Sequence, residues 1–362
     1  MCLDMLGLTN CKTSDRMSSS GEVGMLFGRY SAFNGSLREK LTVILPLKDR
    51  VSYTRFFLDN GVFAGYKYLL LDGSMADENQ KLISTYKNDN LKYIRFPPDV
   101  TFEDYISKIG QGLNYVDTPY LVMIDNDDLL IPRGTDLAIK ALDRGKNLSM
   151  AGGDLVGYCH PNANSWASSV PVYLTSTKDL DCHSPSESIT RNRINYRPIW
   201  NSVSNTAIFR RNWEIVQQSH VVEPHLVEFL MADLMLADGR FQWEPVSHYL
   251  RLENQTERAI DELAQTEQNT IGSPSWWDQA HEVDRLVGKS LGVNQDFPDS
   301  TSRWNLLTSG VPASRRLDRL RLRLRTLISR IYLLPVSWLP TIAGNRLSVR
   351  LPIYKPKKVA LS

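Results

Sequence analysis

Three aspartates fall within four residues at Asp125-Asn126-Asp127-Asp128, directly after the apolar run Tyr120-Leu121-Val122-Met123-Ile124. Carboxylates this close repel one another wherever water is partly excluded. A divalent cation relieves that repulsion, and hard oxygen ligands suit Mg2+ or Mn2+. The alternative is a solvated turn whose acids cap the next helix. Two further aspartates, Asp49 and Asp72, also follow apolar runs, at 41–45 and 66–71. Taken singly, each serves equally well as a turn former or helix cap.

The elements that must position these acids alternate along the chain. Apolar runs at 41–45, 66–71, 91–96 and 120–124 read as buried strands, and 53–58, 77–86 and 102–113 have helix-forming composition. The alternation predicts an α/β fold with a mainly parallel sheet covered by helices on both faces. Ligands of such sheets bind beyond the carboxyl ends of the strands, the edge at which all these aspartates collect. Residues 1–40, rich in Ser and Gly, are expected to form a flexible extension.

Composition narrows the function. With 362 residues, 42% hydrophobic and 23% charged, the chain has the make-up of a globular protein, and a net charge of +2 argues against a general nucleic-acid binder. Cys2, Cys11, Cys159 and Cys182 show no metal-ligand spacing and read as reduced thiols. Neither a signal peptide nor a membrane-spanning run is evident, so a cytoplasmic protein is expected.

Residues 41–255 resemble the family 2 glycosyltransferases, whose catalytic domain is a GT-A type nucleotide-binding sandwich. Leu41-Thr42-Val43-Ile44-Leu45-Pro46 looks like the opening strand. Leu71-Asp72-Gly73-Ser74-Met75-Ala76-Asp77 resembles the family's Asp-Asp-Gly-Ser-x-Asp segment, with Leu71 in place of the first Asp. Residues 124–132 resemble its Asp-x-Asp motif, trailing Pro132 included. The resemblance implies a donor side formed by Pro46, Asp49, Asp72, Asp125 and Arg251, with Asp72 accepting a hydrogen bond from the nucleotide base. It implies metal ligation by Asp127 with Asp125, and His248 is a further candidate ligand. Asp128 would cap a helix or bind sugar hydroxyls. A uridine diphosphate sugar is the default donor, and a glycan or lipid-linked molecule in polysaccharide synthesis the acceptor.

Transfer needs a base for the acceptor hydroxyl. The family commonly places an acid at the start of a helix with a glycine some three turns later, a layout that 225–239 repeats with Glu228 at the base position and Asp233 as second choice. Five residues apart on a helix, the two do not share a face, so one is expected to be solvated surface. His225 is a candidate partner for Glu228 if its role is structural. With Glu228 as base, attack comes opposite the leaving diphosphate and inverts the anomeric carbon. Arg251 is placed to meet that diphosphate, or else to pair with Glu253. Trp166, Tyr196 and Trp200 either line an acceptor cleft or pack in loops.

The catalytic domain is expected at 41–260, with a nucleotide-sugar half at 41–132 and an acceptor half at 133–260, followed by a helical extension at 261–310. Residues 311–362 carry about a dozen Arg and Lys against Asp318 alone, with leucines at helical spacing. This basic tail suits an anionic membrane surface, or packing on the domain with its arginines in water. A nucleotidyltransferase would want a glycine-rich loop where Leu47-Lys48-Asp49-Arg50 has none. A non-catalytic relative that binds nucleotide-sugar or glycan is the other alternative.

Overall fold

The computed structural model describes residues 35–62, 65–159, 170–194, 196–252 and 273–292. Trp166, Glu253, residues 1–34 and the basic tail lie outside them. Helix α1 (Gly35–Arg38) precedes β1 (Leu41–Leu47), α2 (Val51–Asn60), β2 (Lys67–Asp72), α3 (Glu78–Ile83), β3 (Leu91–Arg95), α4 (Phe102–Leu113) and β4 (Tyr120–Met123). There follow β5 (Leu129–Leu130), α5 (Pro132–Arg144), β6 (Leu148–Cys159), β7 (Val170–Thr175), α6 (Pro185–Ile194) and β8 (Val203–Asn205). Then come α7 (Thr206–Gln218), α8 (Pro224–Asp238), β9 (Arg240–Leu252) and α9 (Pro274–Ser290). The domain takes in residues 35–40, which the sequence assigns to the extension: Arg38 is buried, pairs with Asp136 at 3.0 Å and lies over the Tyr66 ring.

The α/β class is as expected. The sheet order is β3-β2-β1-β4-β8-β6-β9-β5, with β7 on β6. Strands β3, β2, β1 and β4 run parallel, so their carboxyl ends share one edge. Beyond β4 the sheet becomes mixed, with β8 antiparallel to β4 and β6, and β9 parallel to β6. Close approach of β6 to β9 requires glycine at 153, where a Cβ would stand 1.7 Å from the Val246 carbonyl oxygen.

Side chains alternate across each strand. Leu69 and Leu71 join Ile44, Leu121 and Met123 in the core beneath α4 and α7, where Phe209 stacks on Trp213. Tyr68 points the other way, onto Phe57 of α2. Local signals set the helix starts: Thr101 and Asp104 form a reciprocal capping box for α4, Pro132 opens α5, and the Glu223 carboxylate caps α8 by accepting from the Leu226 N–H at 2.7 Å.

Helix α8 is apolar on nearly every side because α6, α7 and α9 surround it. One charged group crosses this layer. Arg193 of α6 donates to Asp233 of α8 at 2.6 Å and also pairs with Asp284 of α9, all three side chains being at most 2% exposed. Among the described residues no helix is long and apolar enough to cross a membrane. Removing one member of such a buried charge set costs about 3–5 kcal/mol. Asp284→Ala is therefore expected to lower the unfolding free energy by about that amount in urea titration. A loss below about 1 kcal/mol would show that apolar packing alone holds α9.

Candidate active site

The parallel register places Leu47 beside Asp72 and Asp72 beside Arg95, so the loops after β1, β2, β3 and β4 open on one edge. Asp72 is fully buried there. Its Oδ1 accepts from the backbone N–H and hydroxyl of Ser74, and its Oδ2 from the Tyr93 hydroxyl at 2.6 Å and Arg95 at 2.7 Å. Four donors fill the acceptor capacity of a carboxylate. Asp72 was expected to accept a hydrogen bond from a nucleotide base; here its acceptor sites are taken, and it holds Tyr93, Arg95 and the 73–75 turn in place. Beside it, Lys108 pairs with Asp99 and donates to the Leu47 carbonyl at 2.9 Å, pinning the end of β1.

The loop after β1 is held with unusual force. Asp49 and Arg50 both have φ of 52°, a left-handed conformation that non-glycine residues rarely adopt. The Asp49 N–H donates to the Ser74 hydroxyl at 2.7 Å, its carbonyl accepts from Asn79 at 2.9 Å, and its carboxylate accepts from the Met75 N–H at 3.1 Å. Pro46 lies half-buried within β1 itself.

At the end of β4, ligand oxygens of Asp125, Asp127 and Asp128 lie within 4.8 Å of one another. Three hard oxygen donors at that spacing fit a divalent cation. The three carboxylates differ in surroundings. Asp128 is buried and accepts from the Tyr249 hydroxyl at 2.6 Å and the Leu252 N–H at 2.8 Å; burial, with Asp127 and Asp125 beside it, holds its pKa well above the carboxylate range. Asp127 accepts from Arg50 at 2.6 Å. Asp125 opens to solvent. Desolvation by the protein around it, then Asp127, raise its pKa to about 6 against the pull of Arg251 and Arg50. Asn126 ties the same loop to α2 through Thr54 at 3.0 Å.

Two distant elements reach this cluster. Arg251 on β9 exerts its field on Asp125 and on Tyr249, and half-buried Glu228 on α8 acts on Asp125 and faces the Tyr196 hydroxyl. Asp233 is elsewhere. The expectation that either Glu228 or Asp233 is solvated surface is overturned: Asp233 is fully buried in its ion pair with Arg193, which removes it from contact with an acceptor. His225 pairs with Glu223 at 2.7 Å rather than with Glu228. Trp200 packs near Trp213 and the core, and Tyr196 lies 4.5 Å from Phe229 between ring centroids.

His248 is not among the clustered ligands and is corrected too. His248 sits at a register shift between β6 and β9, where Ser247 pairs with Asp154 and Tyr249 with Leu155; it is 3% exposed, its Nδ1 accepts from the Gly153 N–H at 2.9 Å, and Tyr249 beside it donates to Asp128. Sequence reasoning gave no role to Arg50, Tyr249, Tyr93 or Arg95. Arg50 had a signal in its place after the opening strand, and the others had none.

No family model matches this chain, and no curated protein matches it in sequence. Solved structures similar to it include S. aureus TarS residues 1–349, at 13% identity over 82% of each chain with a TM-score of 0.43. The same TarS fragment in complex with UDP-GlcNAc is 14% identical, over 73% of this chain and 70% of that one, at 0.45. The mannosyltransferase PcManGT from Pyrobaculum calidifontis, in complex with GDP-Man and Mn2+, is 12% identical over 87% and 93%, at 0.40. Likenesses this distant leave the site to be read from its own residues.

Burial pushes the His248 imidazole down to about 4 from 6.5. The unfolded chain therefore binds a proton that the folded one refuses between those values. The stability His248 confers as a neutral group is present above pH 6.5 and falls by up to about 3 kcal/mol as pH drops to 4. The slope of stability against pH in this window, from urea titrations, is expected to flatten in His248→Asn.

Proposed function

We propose that the chain transfers a sugar from a nucleoside-diphosphate sugar to a hydroxyl acceptor. The observation that carries this reading is the aspartate cluster at the carboxyl edge of a parallel sheet, with an arginine and a glutamate from remote elements acting on the same carboxylate. Asp125 and Asp127 would hold a divalent cation, Mg2+ or Mn2+, which supplies positive charge opposite the departing diphosphate. Asp128 serves them indirectly, since its oxygens are engaged by Tyr249 and Leu252.

The protein's own groups account for the remaining requirements. Arg251 offers a guanidinium to the diphosphate. Glu228 takes the proton of the acceptor hydroxyl, oriented by the Tyr196 hydroxyl it faces. A base acting from the side opposite the leaving group gives inversion with no covalent sugar intermediate. Pro46 and Asp49, on the strand and loop beside the Asp72 turn, belong to the donor side. A UDP-sugar as donor and a glycan or lipid-linked acceptor rest on the family 2 resemblance. An anionic membrane as the place of work rests on the basic composition of 311–362.

Thermal melting with a panel of UDP- and GDP-sugars, in Mn2+, Mg2+ or chelator, tests the donor site. One donor is expected to raise the midpoint in the presence of metal, and Asp127→Asn to abolish that rise; no rise with any donor would end the assignment. Glu228→Gln separates chemistry from binding. It is expected to keep the donor-induced shift while turnover falls by roughly 10²–10⁴-fold, the usual worth of a general base. Turnover within about threefold of the unaltered protein would exclude Glu228 as the base.

A further inference from the structure

The Arg50–Asp127 pair answers a question that the aspartate cluster raises. Three carboxylates were expected to need a cation, yet the protein brings its own positive charges. Asp127 is 1% exposed and Arg50 12%, and their nitrogen and oxygen lie 2.6 Å apart. Asp125 acts on Arg50 as well, and the field of Arg251 reaches Asp125. With Asp128 engaged by Tyr249 and Leu252, Asp125 and Asp127 face two guanidinium groups. A divalent ion arriving alone would meet two positive charges and an Asp127 oxygen already taken. A nucleoside diphosphate arriving alone would meet two arginines and two repelling carboxylates. Arriving together, they match the site charge for charge.

The position of Arg50 is built rather than incidental. It follows Asp49 in a second left-handed conformation at the start of α2, and the loop is clamped by Ser74 of the neighbouring turn and Asn79 of α3. Its guanidinium lies over the Tyr53 ring at 4.2 Å. Strained backbone of this kind persists where the surroundings over-determine it. The Asn126 to Thr54 bond fixes the aspartate loop to the same helix.

We propose that Arg50 is the resident counter-cation of Asp127, occupying the metal's share of that carboxylate in the free protein and passing to the donor diphosphate when metal and nucleotide enter together. This rests on the donor-site reading above. It assigns Arg50 a binding role and makes metal and nucleotide affinities mutually dependent. A planar guanidinium pairs with carboxylate and phosphate by the same two-point geometry, so the exchange keeps its hydrogen bonds while changing partner.

Titrations of Mn2+ into the full-length protein, followed by electron paramagnetic resonance of free Mn2+, test it without turnover. They are run with no nucleotide and with saturating UDP or GDP. In the unaltered protein Mn2+ alone is expected to bind weakly, and one nucleotide to tighten it by roughly tenfold or more, a normal size for coupled sites. Arg50→Gln is expected to bind Mn2+ alone roughly tenfold tighter than the unaltered protein and to gain less than about threefold from nucleotide. Arg50→Lys, which keeps the charge but not the two-point geometry, is expected to fall between the two, and melting curves establish that both variants fold. Equal Mn2+ affinity of Arg50→Gln and the unaltered protein without nucleotide, or an undiminished nucleotide effect in Arg50→Gln, would overturn the role of Arg50 and leave the donor site standing. Absence of Mn2+ binding in every variant, with and without either nucleotide, would overturn the donor-site reading and this inference with it.

Discussion

Repulsion among Asp125, Asp127 and Asp128 is the constraint to which the carboxyl edge of the sheet answers. Each carboxylate meets it differently. Asp128 is turned inward onto the Tyr249 hydroxyl and the Leu252 amide, Asp127 is held by Arg50, and Asp125 stays open to solvent within the field of Arg251. Each solution recruits another part of the chain. The first brings in the end of β9, the second the loop after β1, and the third the residue that follows Leu250. The short strand β5, running antiparallel to β9, continues the bond between the aspartate loop and the last strand.

That arrangement needs a rigid frame. The parallel ladder of β1 to β4 aligns the loop mouths, while Lys108 and Asp99 under Leu47 and the Asp72 hydrogen bonds fix their depth. The two left-handed residues at 49 and 50 store strain that Ser74 and Asn79 hold in check, so the loop after β1 depends on the turn after β2. The geometry of this edge is thus shared between neighbouring loops rather than set by any one of them.

The first half of the fold was legible because its signals are local. Apolar runs of strand length and helix-forming composition mark β1 to β4 and α4 with boundaries close to those observed. The aspartate cluster was legible for the same reason. What sequence could not give was the partner of each charge. Asp72 and Asp233 have the right type and spacing for function, but their donors come from β3 and from α6, and only the folded chain brings those near. The same holds for His248, whose Nδ1 accepts from the Gly153 N–H of β6 at a register shift that the sequence does not signal.

The ion set of Arg193, Asp233 and Asp284 carries a consequence for where this protein can be divided. The sequence reading ended the main domain at residue 260 and set an extension beyond it, but Asp284 sits on the far side and shares its arginine with the helix that bears Glu228. A fragment ended there would leave Arg193 one carboxylate short inside an apolar layer and would strip the cover that Trp276, Val283 and Val287 give to α8. The smallest portion worth expressing on its own therefore runs through α9, and what looks like an appendage in the sequence is a wall of the domain.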